Sequence, residues 1–281
     1  MRNTGQRKQQ RKRFIFNHNA MGRAKEIIVK VIPSKIANEF VKKHHYSGKV
    51  VPNSTLHFGC FLDGKMHGVM SYGNSMDKYK VGATVKDTGW NEFIELNRLA
   101  FDDYLPKNSE SRCMAISIKL LKKNAPHIKW VISYADGSQC GDGAIYRAAG
   151  YNLIGIKVNK QILEWNGKTI AKKTLDNTNY PKINGKYYSR HLLETGEAKP
   201  LDGFQLKYIY FIDRSKEKDL TVPILPFSKI DEMGAGMYKG QRVSMSERRK
   251  QHADEALPAV RLASSQEEGF DSTHPLKINK D

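Results

Sequence analysis

Apolar positions along this chain recur with two different periods, and the switches between them mark out the elements. Glu26 to Ile32, EIIVKVI, has the β-branched run of a strand. Pro33-Ser34 then opens a segment with Ile36, Phe40 and Val41 spaced for one buried face, which predicts a helix ending into His44-His45-Tyr46-Ser47-Gly48. Leu56–Leu62 and His67–Tyr72 predict a hairpin closed by Asp63-Gly64, a pair suited to a tight turn. Phe93–Phe101, FIELNRLAF, is the next strand. Asn108-Ser109 is expected to cap a helix carrying Met114, Ile118 and Leu121 at i, i+4 and i+7. The apolar run from Val131 predicts a buried strand that breaks at Asp136-Gly137. Asp142–Ala149 then suits a short helix, with Asp142 as N-cap and Gly150 as the stop, before a strand over Tyr151–Val158.

After Val158 the pattern becomes a series of short β segments. Gln161–Trp165 and Lys168–Lys172 flank Asn166-Gly167, a second hairpin signal, and Asn184-Gly185 marks a turn in an aromatic, basic loop. Phe204–Asp213 reads as a strand. From about Ser228, glycines and mixed charge suggest a loosely ordered tail. The order β-α-β-β-β-α-β-α-β over residues 26–158 predicts an α/β (α+β) fold, a mixed sheet with helices on both faces, followed by a β-rich C-terminal extension. The expected divisions are a basic disordered arm over 1–20, an α/β core over 21–158, a β-rich extension over 159–227, and a flexible tail over 228–281.

Composition narrows the setting. No apolar run approaches the ~18 residues needed to span a bilayer, and the basic start MRNTGQRKQQRKRF has no apolar segment of the kind a secretory signal carries. Three widely spaced cysteines, Cys60, Cys113 and Cys140, argue against a disulfide scaffold or a cysteine zinc site, so a reducing cytoplasm is the expected location. The net charge is +18. Residues 1–13 hold six basic groups and no acid, yet residues 14–240 alone hold 34 basic against 22 acidic groups. A basic folded region of this kind points to nucleic acid ahead of an acidic protein or a lipid surface.

Several residue groups carry chemistry. Asp136 stands where a strand opens into a glycine-bearing turn before a helix, a natural place for an anionic ligand and for a reacting group. His44, His45, Tyr46 and Ser47 offer imidazoles and a phenol, able to ligate a metal or move a proton, although a polar helix end accounts for them equally. Arg98 lies inside an apolar strand and needs a cleft or a partner, for which Glu95 is the simple choice. Period-two alternation puts Glu92, Ile94, Leu96 and Arg98 on one face, and Glu95, Asn97 and Leu99 on the other. Lys107, Asn108, Ser109, Ser111 and Arg112 open the long helix with the donors a phosphate would use, or simply cap it. Tyr146 is placed either toward the Asp136 loop or as a packing aromatic. Trp90, Trp165, Tyr180, Tyr187 and Tyr188 interleave with Lys and Arg, as base-stacking surfaces do.

Taken together, HHYSG, ELNRLAFDDYLPKNSESR and SYADGSQCGDGAIYRAAGY, in that order, resemble the phage Mom family of DNA adenine modification proteins. The resemblance covers roughly residues 26–213. It implies a GNAT-like fold, in which strand five splays from strand four to leave the reaction cleft. It implies a transferase that attaches a carbamoylmethyl (acetamido) group to adenine N6 in double-stranded DNA, protecting phage DNA from restriction in the host cytoplasm. By position it implies catalytic roles for Tyr46, Arg98, Ser111, Asp136 and Tyr146. Lys107, Asn108, Ser109 and Arg112 would hold an acyl-CoA such as acetyl-CoA, and His45, Tyr46 and Asp136 would ligate an iron. The oligomeric state stays open, a dimer included. Two other readings remain at this point: a GNAT N-acetyltransferase acting on a protein or small amine, and a non-catalytic DNA-binding protein.

Overall fold

The computed structural model describes residues 23–177, 179–238 and 240–250. The basic arm and the last part of the expected tail lie outside the described residues. In chain order the elements are β1 (Ile28–Val31), α1 (Ser34–His44), β2 (Ser54–Leu62), β3 (Lys65–Gly73), α2 (Lys78–Gly82), β4 (Phe93–Phe101), α3 (Ser109–Asn124), β5 (Trp130–Asp136), α4 (Ala144–Ala148) and β6 (Asn152–Val158). There follow β7 (Ile162–Trp165), β8 (Lys168–Ala171), α5 (Lys172–Leu175), α6 (Tyr188–Thr195), β9 (Ala198–Pro200), β10 (Phe204–Phe211), α7 (Ser228–Glu232), β11 (Met237–Tyr238) and β12 (Gln241–Arg242). The chain forms two compact units that interleave along the sequence. The first takes residues up to Tyr134, Gly143–Gly155 and Lys207–Leu225; the second takes Ala135–Asp142, Ile156–Leu206 and the residues from Pro226.

A seven-stranded mixed sheet with the order β1-β2-β3-β4-β5-β10-β6 organises the first unit. β1 to β4 pair antiparallel and β4 pairs with β5 in parallel. The β2–β3 turn forms as expected, because Asp63 and Gly64 both take the positive φ that a tight hairpin turn requires. Val69 and Ala100 face α1 through Ala37, Phe40 and Val41. Tyr72, three residues after Val69 on β3, instead reaches α3, its hydroxyl 2.6 Å from that of Ser117. Helices therefore cover both faces. Trp130 is fully buried and stacks on Phe93 at 4.4 Å within a cluster that includes Val81, Val85, Ile132 and Phe211. Each such side chain contributes roughly 1.5–3 kcal/mol through burial. Ile36, expected in the α1 face, is 45% exposed, and Ala37 takes its place.

The second unit has its own small core. Leu163, Leu175, Leu192 and Ala198 are buried between the sheet β8-β7-β9 and the helices α5 and α6. Trp165, Tyr180 and Tyr188 pack on one another at 5.2–6.2 Å against that core, so they are anchors and not an open stacking surface. Residues 228–250, expected to be loose, instead supply α7 and the β11–β12 pair. Asp142 does not cap a helix. Gly143, in a left-handed conformation, occupies the N-cap position of α4, while the fully buried Asp142 carboxylate pairs with Arg248 and accepts from the Met237 N–H at 3.3 Å. A buried carboxylate stripped of its partner is strongly unfavourable. Arg248→Ala should therefore lower unfolding free energy by about 3–5 kcal/mol, read as a fall in the urea midpoint, whereas Arg249→Ala should leave it nearly unchanged.

Candidate active site

The cleft begins with a defect in the sheet. Ser71 pairs with Arg98 and Tyr72 with Leu96, so Asn97 is an extra residue in β4, a β-bulge. The bulge resets the alternation and gives Arg98 the same parity as Glu95, contrary to the simple period-two reading. The two side chains accordingly act on each other electrostatically. β4 and β5 pair only from Phe93↔Trp130 to Leu96↔Ser133. Beyond that point they part, and Arg98 projects from the parted stretch of β4.

Arg98 is half-buried. Its Nε donates to the Lys49 carbonyl at 2.8 Å and its Nη1 to the Asn97 carbonyl at 2.7 Å, which fixes the plane of the guanidinium. Burial lowers its pKa, while Tyr46, Glu95 and Tyr146 act in the opposite direction, so all three stand within electrostatic reach of the cation. Glu95 is held above the ordinary carboxylate range, chiefly by burial, with Ser75 and Arg98 opposing the shift. A carboxyl raised in this way, beside a fixed cation, is suited to accept a proton.

His45 follows directly from the end of α1. Its Nδ1 accepts from the Ser47 N–H at 3.2 Å and lies 2.8 Å from the Ser47 hydroxyl. Because Nδ1 accepts a backbone hydrogen bond, the neutral ring carries its proton on Nε2. Burial, aided by the Arg98 charge, brings the His45 pKa down to about 4. At neutral pH the ring is therefore an uncharged donor. Its neighbour Tyr46 lies against it at 4.3 Å and is 49% exposed. Tyr146 is buried in a group of phenols, 5.6 Å from Tyr151 and 5.2 Å from Tyr208. Gly143 sets that position. A Cβ there would come within 2.5 Å of Tyr208 and 2.9 Å of Tyr146, and φ is +81°, so a side chain is excluded twice over.

The profile of the Mom protein family matches residues 26–229, which span every residue of this cleft. The chain belongs to the Mom protein family. It is similar to the methylcarbamoylase mom of Escherichia phage Mu, at 29% identity over 203 residues, covering 72% of this chain and 82% of that protein. Among solved structures it resembles a Bacillus subtilis acetyltransferase in complex with CoA, with 9% identity, a TM-score of 0.38 and coverage of 66% of this chain and 98% of that one. It also resembles an IAA acetyltransferase from Bacillus cereus, with 10% identity, a TM-score of 0.39 and coverage of 66% and 99%.

Asp136, in the second unit, uses Oδ1 to accept from the Ser138 N–H at 2.9 Å and the Asn159 amide at 3.0 Å, and Oδ2 to accept from Gln139 at 3.2 Å. Its carboxylate is engaged in shaping its own loop. At the start of α3, Ser109 and Ser111 turn their hydroxyls to the carbonyls of Pro106 and Asn108, and Arg112 donates to the Lys25 carbonyl at 3.3 Å. Asn108 takes a left-handed conformation and makes no side-chain cap, so it does the turning that glycine would otherwise do. Lys107 and Asn108 stay exposed, and among the described residues the first-turn N–H groups of Glu110 and Ser111 have no backbone acceptor. That end of the helix fits a phosphate. An iron fits less well. The Arg98 cation beside His45 would repel it, the Asp136 oxygens are occupied, and among the described residues no three His, Cys, Asp or Glu side chains come together as a ligand set. Glu95 was legible in the sequence only as a partner for Arg98; the bulge that brings it into the cleft has no marker in FIELNRLAF.

The His45 shift has a measurable sign. Below pH 6.5 the unfolded ring binds a proton that the folded ring refuses until about pH 4. Stability should therefore fall as pH drops through that window, by about 3 kcal/mol in total. His45→Asn should flatten this part of the stability curve, a comparison made by denaturant titration between pH 4 and 7.

Proposed function

We propose that this protein transfers a carbamoylmethyl group to N6 of adenine in DNA. The observation that carries the reading is the family match, which covers the whole cleft from His45 to Tyr146, together with the methylcarbamoylase found among its relatives. The basic charge of residues 14–240 supports a DNA substrate, and chemistry on a base edge requires that the adenine leave the stack.

In the reaction, adenine N6 forms a bond to the methylene carbon of the donor. The donor's bond from that carbon to its leaving group breaks, with the electron pair departing on the leaving group, and N6 gives up one proton. In this reading Glu95 takes that proton, Arg98 steadies the carboxylate and the negative charge that develops on the leaving group, and the His45 Nε2–H donates to the carbonyl oxygen of the carbamoyl group. Tyr46 covers the entrance. Lys107 and the free first-turn N–H groups of α3 would hold the phosphates of an acyl-CoA. A bound thioester would supply a carbonyl carbon, and its product would then be an N6-acetyl amide.

Nucleoside mass spectrometry on DNA from cells expressing this chain tests the reading directly. The expected product is a deoxyadenosine heavier by a carbamoylmethyl group. A mass increase of one acetyl group would assign an amide-forming reaction instead, and unmodified DNA from cells holding soluble protein would overturn the proposal. Glu95→Gln should reduce turnover roughly 10²–10⁴-fold with little change in DNA affinity, and turnover at the parental rate would remove Glu95 from the role of base. Asp136→Asn places an amide opposite the Gln139 amide, and should lower stability by about 1–2 kcal/mol with a much smaller effect on turnover.

A further inference from the structure

A second recess in the first unit is not used by the chemistry above. It is a cleft of about 480 Å³ between α2 and the segment leading into β4, and Lys78, Tyr79, Lys86, Trp90 and Phe93 are among the residues that line it. Its aromatic groups are unusually open for a folded protein: Tyr79 is 83% exposed and Trp90 57%. The pair is nevertheless fixed in place. The two rings meet edge to face at 5.3 Å. Lys78 is buried with its ammonium 4.5 Å from the indole and 5.8 Å from the Phe93 ring, tethered by the side-chain oxygens of Asn74 at 3.0 Å and Asn91 at 3.3 Å. A preset indole exposed to water, with Lys78 and Lys86 lining the same recess, matches the pairing of stacking platform and phosphate contact that binds unstacked nucleic acid.

The position of the recess agrees with that chemistry. Phe93 shares a face of β4 with Glu95, and the bulge at Asn97 brings Arg98 onto the same side. Asp77, which caps α2, acts electrostatically on Tyr134 together with Glu95. One side of β4 therefore leads from the aromatic recess past Glu95 to the Arg98 cleft. With one of the five intervening steps taken up by the bulge, the separation is about 13 Å at ~3.3 Å per residue. The volume is ample for a nucleobase. We propose that this recess holds a second base of the same DNA strand, displaced from the stack and lying against Trp90, while the reacting adenine occupies the Arg98 cleft. The inference rests on the proposed DNA reaction for its second base, but the stacking site itself can be tested without turnover.

The test uses the full-length protein and a fluorescently labelled single-stranded oligonucleotide containing adenine. Trp90→Ala should weaken binding roughly 5- to 100-fold with the salt dependence unchanged, and Trp90→Phe should restore most of the affinity. Lys86→Gln should instead lower the slope of log affinity against log salt by about 1. Tyr79→Ala, at a ring so exposed that folding is untouched, should weaken binding in the same direction as Trp90→Ala. Met233→Ala, at an exposed apolar side chain of the second unit, should bind as the parent does. Oligonucleotide should also quench indole emission in the parent and not in Trp90→Phe. Affinities of Trp90→Ala and Tyr79→Ala within about two-fold of the parent, with no quenching, would overturn the site. Nucleoside mass on DNA treated with the same preparations separates the two claims. Modified adenine with binding indifferent to Trp90 defeats the recess alone. Unmodified DNA with Trp90-dependent binding defeats the transfer reading and retains the recess.

Discussion

The parting of β4 from β5 is the constraint on which the rest depends. Parallel pairing stops after Leu96↔Ser133, and the Ser133 hydroxyl closes the last rung by donating to the Leu96 carbonyl at 2.9 Å. A sheet that stayed paired would close the opening between the two strands beside Arg98. The parted strands instead leave backbone groups that side chains can satisfy, and the guanidinium does part of this itself by donating to the Asn97 carbonyl, while a second bond ties it to the Lys49 carbonyl in the loop after α1. The same contacts that stabilise the opening also orient the cation within it.

The charge state of the cleft follows from burial more than from pairing. Glu95 is lifted and His45 depressed, each mainly because water is excluded around it. Both shifts favour the neutral form, so the site combines one fixed cation with two groups whose charged forms burial disfavours. This suits transfer to a neutral amine, where charge develops only as the reaction proceeds and preset dipoles then gain most from low dielectric. The high positive charge of the chain as a whole works at longer range and draws the polyanion in without prescribing its sequence.

The sequence makes the order and type of the elements legible because local chemistry decides them. FIELNRLAF is β4 without adjustment, and Asp63-Gly64 and Asn166-Gly167 form turns because asparagine, aspartate and glycine tolerate positive φ. Long-range terms decide what could not be read. Asp142 looks like an N-cap until Arg248, far along the chain, removes its carboxylate from that role. Trp90 and Trp165 look alike in sequence, each followed closely by a turn residue, yet one is exposed and the other packs on Tyr180 and Tyr188. A bulge is a property of two strands together, so the realignment of Arg98 with Glu95 needs the β3 register to be seen.

The interleaving of the two units also sets a schedule. The chain leaves the first unit after Tyr134, re-enters it at Gly143, leaves again after Gly155 and returns at Lys207. During synthesis, β5 and β6 would emerge long before β10, the strand that lies between them in the finished sheet. The loop after β5 must wait longer still, since the counter-ion for Asp142 is more than a hundred residues downstream. A nascent chain therefore holds an incomplete sheet, with the place between β5 and the edge strand β6 unfilled until β10 emerges.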